Sequence, residues 1–279
     1  MKKKIQKTEV KKPKSDVRRP RMEAGKQGNG RFLLISTALF LLVVGLLTVA
    51  AYARNSIYRS HVTLWAEIVK SSPNKRRAHE NYGQALSTAA SHATLSSDRD
   101  RYLAAALREF KTVMALPDDG SVPLRDLYRE VGVVHYRLAQ YDDAVAAWQQ
   151  GLTAAPYDPS LLNNLSIVML QKGRYDDAAR YAEMALMGAP SMPQALNTMG
   201  QVYLLKKNYE KASQYFIKAI EQEPDVPQRY WNAALALEQA GRYDMAFQYA
   251  NRYAAMAADP AARQQAYGYL EHLKKIMGR

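Results

Sequence analysis

Tyr141, Tyr175, Tyr209 and Tyr243 stand 34 residues apart, and three positions after each comes an alanine: Ala144, Ala178, Ala212 and Ala246. Pro156, Pro190 and Pro224 keep the same step. A fixed period of this length, held by three residue types at once, arises when one supersecondary unit stacks on copies of itself. The frame therefore predicts an all-α solenoid of helical hairpins and excludes one irregular globular core.

The stretch 193–226 shows what each position does. Leu196, Met199, Gly200 and Tyr203 fall on one face of a first helix, and Ala212, Phe216 and Ala219 on one face of a second, before Pro224 stops it. Gly200 and Ala212 let the two helices approach closely; Tyr203 and Phe216 fill the space beside them. This pattern resembles the tetratricopeptide repeat (TPR), and every signature position is occupied. The resemblance implies a right-handed superhelix whose first helices line a concave groove.

The neighbouring repeats, 123–158, 159–192 and 227–260, keep the frame with local departures. His135 and Gly151 replace the usual tyrosine and alanine, Ser166 and Ala182 replace the usual glycine and aromatic, and the last proline arrives late at Pro260. Upstream, 75–117 is a repeat carrying an insertion. Its first helix contains Gly83 and its second Phe110, and the added residues Ser87 to Arg101 predict a longer first helix followed by an exposed loop. A second insertion runs from Asp118 to Val122. Residues 54–74 read as an unpaired second helix, because Trp65 and Pro73 repeat the spacing of Trp148 and Pro156. Residues 261–279 read as a capping helix with Tyr267, Leu270 and Leu273 on one side.

The N-terminus is of a different kind. Phe32 to Ala53 is 22 residues without a charge, long enough at 1.5 Å per residue to span a hydrocarbon core of about 30 Å. Residues 1–31 carry twelve Lys and Arg against three acidic residues. By the positive-inside rule this basic tail, whose composition predicts disorder, stays cytoplasmic. The expectation is a single-pass signal anchor, as in a bacterial inner membrane, with the TPR region periplasmic. The alternative is a cleaved leader, for which Ala51 and Ala53 supply the small residues. The tail accounts for +9 of the formal +13 (12 − 3), so the basic balance does not mark a nucleic-acid-binding fold.

Enzymatic chemistry finds no foothold in the sequence. There is no cysteine, and the five histidines form no metal-ligand spacing. Asp142/Asp143 and Asp176/Asp177 recur in frame at the start of second helices, where they favour the positive end of the helix dipole. No catalytic residue, cofactor or metal is expected.

What remains is the groove. In the TPR resemblance its positions are the second, fifth, ninth and twelfth of each repeat. The fifth are Arg129, Asn163, Asn197 and Trp231; the ninth are Val133, Ile167, Gln201 and Leu235; the twelfth are Tyr136, Leu170, Leu204 and Glu238. Amides that bond an extended backbone stand beside an apolar floor, which points to a protein or peptide partner. Trp231 is the expected anchor, and Asn81, Asn164 and Asn232 at the sixth position are read as inter-repeat packing. A second resemblance, carried by Thr63-Leu64-Trp65, Ser72-Pro73-Asn74 and Arg77 to Leu86, is to the junction before the TPR region of multi-pass O-mannosyltransferase-like membrane proteins. It implies shared ancestry of that module and no glycosyl transfer. The function expected is an interaction scaffold, with an accessory subunit of an envelope glycan, pilus or secretion assembly as the alternative.

Overall fold

The computed structural model describes residues 39–47 and 60–278. Met1–Arg59 and Ser60–Arg279 are separate compact units. In the first, the described residues are a helical stretch, α1 (39–47), with every residue exposed. The second holds α2 (His61–Ser71), α3 (Arg76–His92), α4 (Ser96–Ala115), α5 (Leu124–Arg137), α6 (Tyr141–Ala154), α7 (Pro159–Gln171) and α8 (Tyr175–Gly188). It continues through α9 (Pro193–Leu205), α10 (Tyr209–Gln222), α11 (Pro227–Gln239), α12 (Tyr243–Met256) and α13 (Pro260–Met277). Among the described residues there are 13 helices and no strand, the all-α solenoid that the period predicts.

The anchor expectation is corrected. Among the described residues no helix is long and apolar enough to cross a membrane. Of the expected span 32–53 only 39–47 is described, and at 1.5 Å per residue it covers roughly half of a hydrocarbon core. The single-pass, inner-membrane placement with a periplasmic repeat region is overturned by that finding. The rest of the span and the basic tail 1–31 lie outside the described residues.

Each of the four framing tyrosines opens a second helix, at the first residue of α6, α8, α10 and α12. The turn before each is a Schellman-type cap. Gln140, Arg174, Asn208 and Arg242 donate their backbone N–H to the carbonyls of His135, Met169, Tyr203 and Leu237 at 2.8 to 2.9 Å. The preceding residues, Ala139, Gly173, Lys207 and Gly241, all sit in the left-handed region with φ of 57° to 73°. First helices begin with proline at Pro159, Pro193, Pro227 and Pro260, where the missing N–H costs nothing. Pro260 thus opens α13 rather than closing α12, and Asp259 caps it by accepting from the N–H of Ala261 and Ala262.

The hairpins close in two ways. In three of them a glycine on the first helix faces an aromatic ring on the second: Gly83 with Phe110, Gly132 with Trp148, and Gly200 with Phe216. A Cβ on Gly83 or Gly200 would stand 2.6 Å from the ring, so the glycine is required by the ring it receives. Trp148 also donates its indole N–H to the Arg129 carbonyl at 3.1 Å. The other two hairpins place small residues on both sides, Ser166 with Ala182 and Ala234 with Ala250, all fully buried. Ser166 spends its hydroxyl on the Ala178 carbonyl at 2.6 Å, so its burial leaves no donor unpaired.

The insertions are more ordered than the sequence suggests. Residues 87–101 extend both helices of the α3–α4 hairpin, leaving a three-residue connection at 93–95; Ala90 and Leu103 are buried. Arg137 of the next hairpin donates to the Ser87 carbonyl at 2.6 Å. Asp118 to Val122 is pinned to the start of α3 by the Arg76–Asp118 ion pair and by Arg77 bonding the Ser121 carbonyl, while Val122 enters the core.

Candidate functional site

First helices from successive hairpins line a concavity of about 520 Å³. α5 contributes Tyr136; α7 contributes Asn163, Asn164, Ile167 and Gln171; α9 contributes Gln194, Asn197, Thr198 and Gln201; Val226 and the start of α11 add Gln228, Arg229 and Asn232. Helical spacing explains the set, since positions 2, 5, 6, 9 and 13 of a first helix fall on one side of it. Eight of these side chains are carboxamides.

The amides are held unequally. Asn163 is buried, its Oδ1 lying 3.0 Å from the Thr198 hydroxyl on the next first helix, so the two helices are fixed to each other across the groove floor. Asn197 Oδ1 is buried and has no hydrogen-bond partner. Arg229 is buried but spent: it donates to the Glu223 carbonyl at 3.0 Å and to the Glu223 carboxylate at 2.6 Å. Burial, and then the neighbouring Tyr141 phenol, raises the Tyr136 hydroxyl above its ordinary value, so it stays protonated and able to donate.

Of the residues predicted from sequence, Tyr136, Asn163, Ile167, Asn197 and Gln201 meet around this concavity. The others lie elsewhere. Arg129 is paired with Asp126 at 2.7 Å and with Glu130 at 3.5 Å. Val133 packs against the Trp148 cluster, Leu170 is buried with Met169, Ala178 and Val202, and Leu204 packs on the C-terminal cluster. Leu235 is half-buried. Trp231 is not a free anchor: its ring lies 5.1 Å from that of Tyr253 and 5.0 Å from that of Tyr269, edge-on to the latter. Tyr269, on α13, donates its hydroxyl to Glu238 at 2.9 Å, and burial drives its ionisation far upward. The C-terminal helix therefore covers part of Trp231, which is half-buried.

The second position, expected in the groove, is filled by Gln194 and Gln228, whereas the sixth was read as packing and missed. Gln194, Gln228, Asn164, Thr198 and Asn232 line the concavity, although the sixth position reads as packing from one repeat alone. The signal for the sixth position was the recurrence there of short polar side chains, Asn164, Thr198 and Asn232, next to the amides of the fifth.

At the other end the groove side of α3 and α5 is charged and internally paired. Arg77 bonds Glu80 at 2.6 Å, and Glu80 and Asp126 both act on Glu130. Burial chiefly raises the Glu130 carboxyl above its ordinary value; Arg129 opposes this, and the two acidic neighbours add to it. The paired aspartates at the second-helix starts also acquire partners. Asp142 pairs with Lys172, and Asp176 with Lys206 at 2.6 Å, each linking a second helix to the turn one repeat on.

Comparison with known proteins agrees with this architecture. Residues 132–195 and 169–237 match models of the tetratricopeptide repeat, so the central part of the chain is built of TPR units. No curated protein matches the sequence. Among solved structures, a chain of the APC/C hetero-tetramer Cut9-Hcn1 superposes with a TM-score of 0.61 at 15% identity, over 75% of this chain and 38% of that one. The pilF protein of Pseudomonas aeruginosa gives 0.55 at 20% identity, over 73% and 84%. This chain thus spans little more than a third of the first of these, and likeness at such identities is a likeness of fold. Nothing in the matches supports the O-mannosyltransferase-like junction. The structure accounts for part of that segment differently: His79 is buried, its ring nitrogens meeting the Pro73 carbonyl at 2.9 Å and Glu109 at 2.7 Å, and so ties α3 to α4 and to the loop before it.

Proposed function

We propose that this protein is a TPR scaffold that holds an extended segment of a partner protein in the concavity of α5, α7, α9 and α11, without making or breaking a covalent bond. One observation carries the reading: carboxamides from three successive first helices converge on one concave surface. A carboxamide has both donors and acceptors, as an extended backbone does, and regular spacing of first helices lets each meet a fresh stretch of the same strand. Tyr136 and Ile167 give side chains of the segment an apolar surface.

The test is capture of crosslinked partners from native extracts by the full chain and by an Asn163→Ala/Asn197→Ala variant, with Gln214→Ala on the outer face as control. Loss of capture in the groove variant alone, with helicity unchanged, is the expected result. Equal capture by all three places the partner surface elsewhere.

A further inference from the structure

We infer that the segment held in the groove carries no charged side chain along the stretch of about six residues that the groove contacts; this rests on the groove reading above. Among the described residues lining the concavity there is no Lys, Asp or Glu. The single charged group, Arg229, is 7% exposed and already donates to two carbonyls and a carboxylate of its own chain. A ligand carboxylate or ammonium entering here would give up hydration and find no counter-ion, an arrangement that proteins avoid.

The backbone of such a segment, by contrast, meets what it needs. Asn197 lines the concavity and its buried Oδ1 has no hydrogen-bond partner, so a strand N–H that reached it would satisfy an acceptor left unpaired in the free protein. Asn163 is less available, because it is buried and its oxygen already accepts from the Thr198 hydroxyl. Asn197 is therefore the contact on which backbone recognition turns, and its neighbour one turn on, Gln201, extends it. The length follows from spacing. First helices about 10 Å apart on α7, α9 and α11 define about 20 Å, which six extended residues span at about 3.3 Å each.

The groove is also bounded by chemistry. Toward α3 the charges begin, but they are matched among themselves as Arg77 with Glu80 and Arg129 with Asp126. Toward α13 the aromatic contact of Trp231 with Tyr269 closes the surface. The uncharged zone between is where selection acts.

The probe is a phage-displayed library of random peptides of about 12 residues, twice the length of the groove. It is selected in parallel on the full chain and on an Asn197→Leu/Gln201→Leu variant. Peptides enriched on the native chain and lost on the variant are expected to share a run of about six residues depleted in Asp, Glu, Lys and Arg. Their affinity should not change between low and high salt. Enriched peptides that keep charges in that run, or bind with strong salt dependence, overturn this inference and leave the groove reading standing. No enrichment on the native chain over the variant overturns the groove reading itself. Asn197→Leu alone should unfold at no lower temperature than the native chain, since it removes a polar atom that bonds nothing; a clear fall would show that Asn197 supports the fold instead.

Discussion

Replacing Gly200 with alanine should destabilise the native protein and stabilise a variant in which Phe216 is already alanine. In the native hairpin the added Cβ would stand 2.6 Å from Cδ1 of Phe216, about 1 Å inside an ordinary carbon contact. The ring cannot yield, because Phe216 is fully buried among Ala212, Ala233 and Tyr230. Overpacking of this severity costs about 3 kcal/mol. Alanine returns about 1 kcal/mol of helix propensity over glycine, which leaves a net loss of about 2 kcal/mol. Phe216→Ala alone should cost about 3 to 5 kcal/mol. Once the ring is gone only the propensity gain of about 1 kcal/mol remains, so the two changes couple by about 3 kcal/mol. The protein holds alanine at both of these frame positions elsewhere, in the buried pair Ala234–Ala250. Urea unfolding of the four proteins, followed by helical circular dichroism, measures the cycle. If Gly200→Ala shifts the midpoint in the same direction in both backgrounds, the glycine–ring argument is wrong.

Two further outcomes follow from local geometry and charge. Ala139→Gly and Lys207→Gly should each raise the unfolding midpoint, because both residues sit at φ near 60° where a Cβ costs about 1 kcal/mol, and Gly173→Ala and Gly241→Ala should lower it by a similar amount. Glu130 has its pKa raised by burial in the folded state, so its contribution is favourable when it is protonated, below the ordinary carboxylate range, and is lost as pH rises through the raised value. Glu130→Gln should therefore stabilise the protein at neutral pH, with the gain shrinking to nothing under acid; a pH series of unfolding midpoints checks both sign and window.

The repeat frame was legible because its determinants are local. Tyrosine spacing locates the first residue of α6, α8, α10 and α12, and the close approach of Gly200 to Phe216 follows from positions within one hairpin. Misreadings arose where the deciding contact lay far along the chain. Residues 87–101 read as an extension of the first helix followed by an exposed loop; the extension is there, but the connection shrinks to 93–95, and Arg137, 50 residues from Ser87, bonds its carbonyl. Pro260 was ambiguous because three repeat junctions before it carry two prolines, one after a helix and one at the first residue of the next, as Pro190 and Pro193 do. Trp231 reads as an exposed anchor until Tyr269 on α13 is placed against it. In the groove, positions 5 and 9 were legible for the two central repeats. The sixth position was not, because an asparagine there satisfies a packing role and a lining role equally well on sequence alone.

α2 buries no residue at all, whereas eight of the thirteen residues of α7 are buried. In a stack whose members touch mainly their immediate neighbours, that difference sets the order in which the stack comes apart. Amide hydrogens of α2 should exchange first and those of α7 and α9 last. The concave surface is thus assembled on the part of the chain that stays folded longest, and a molecule frayed at its ends still presents it.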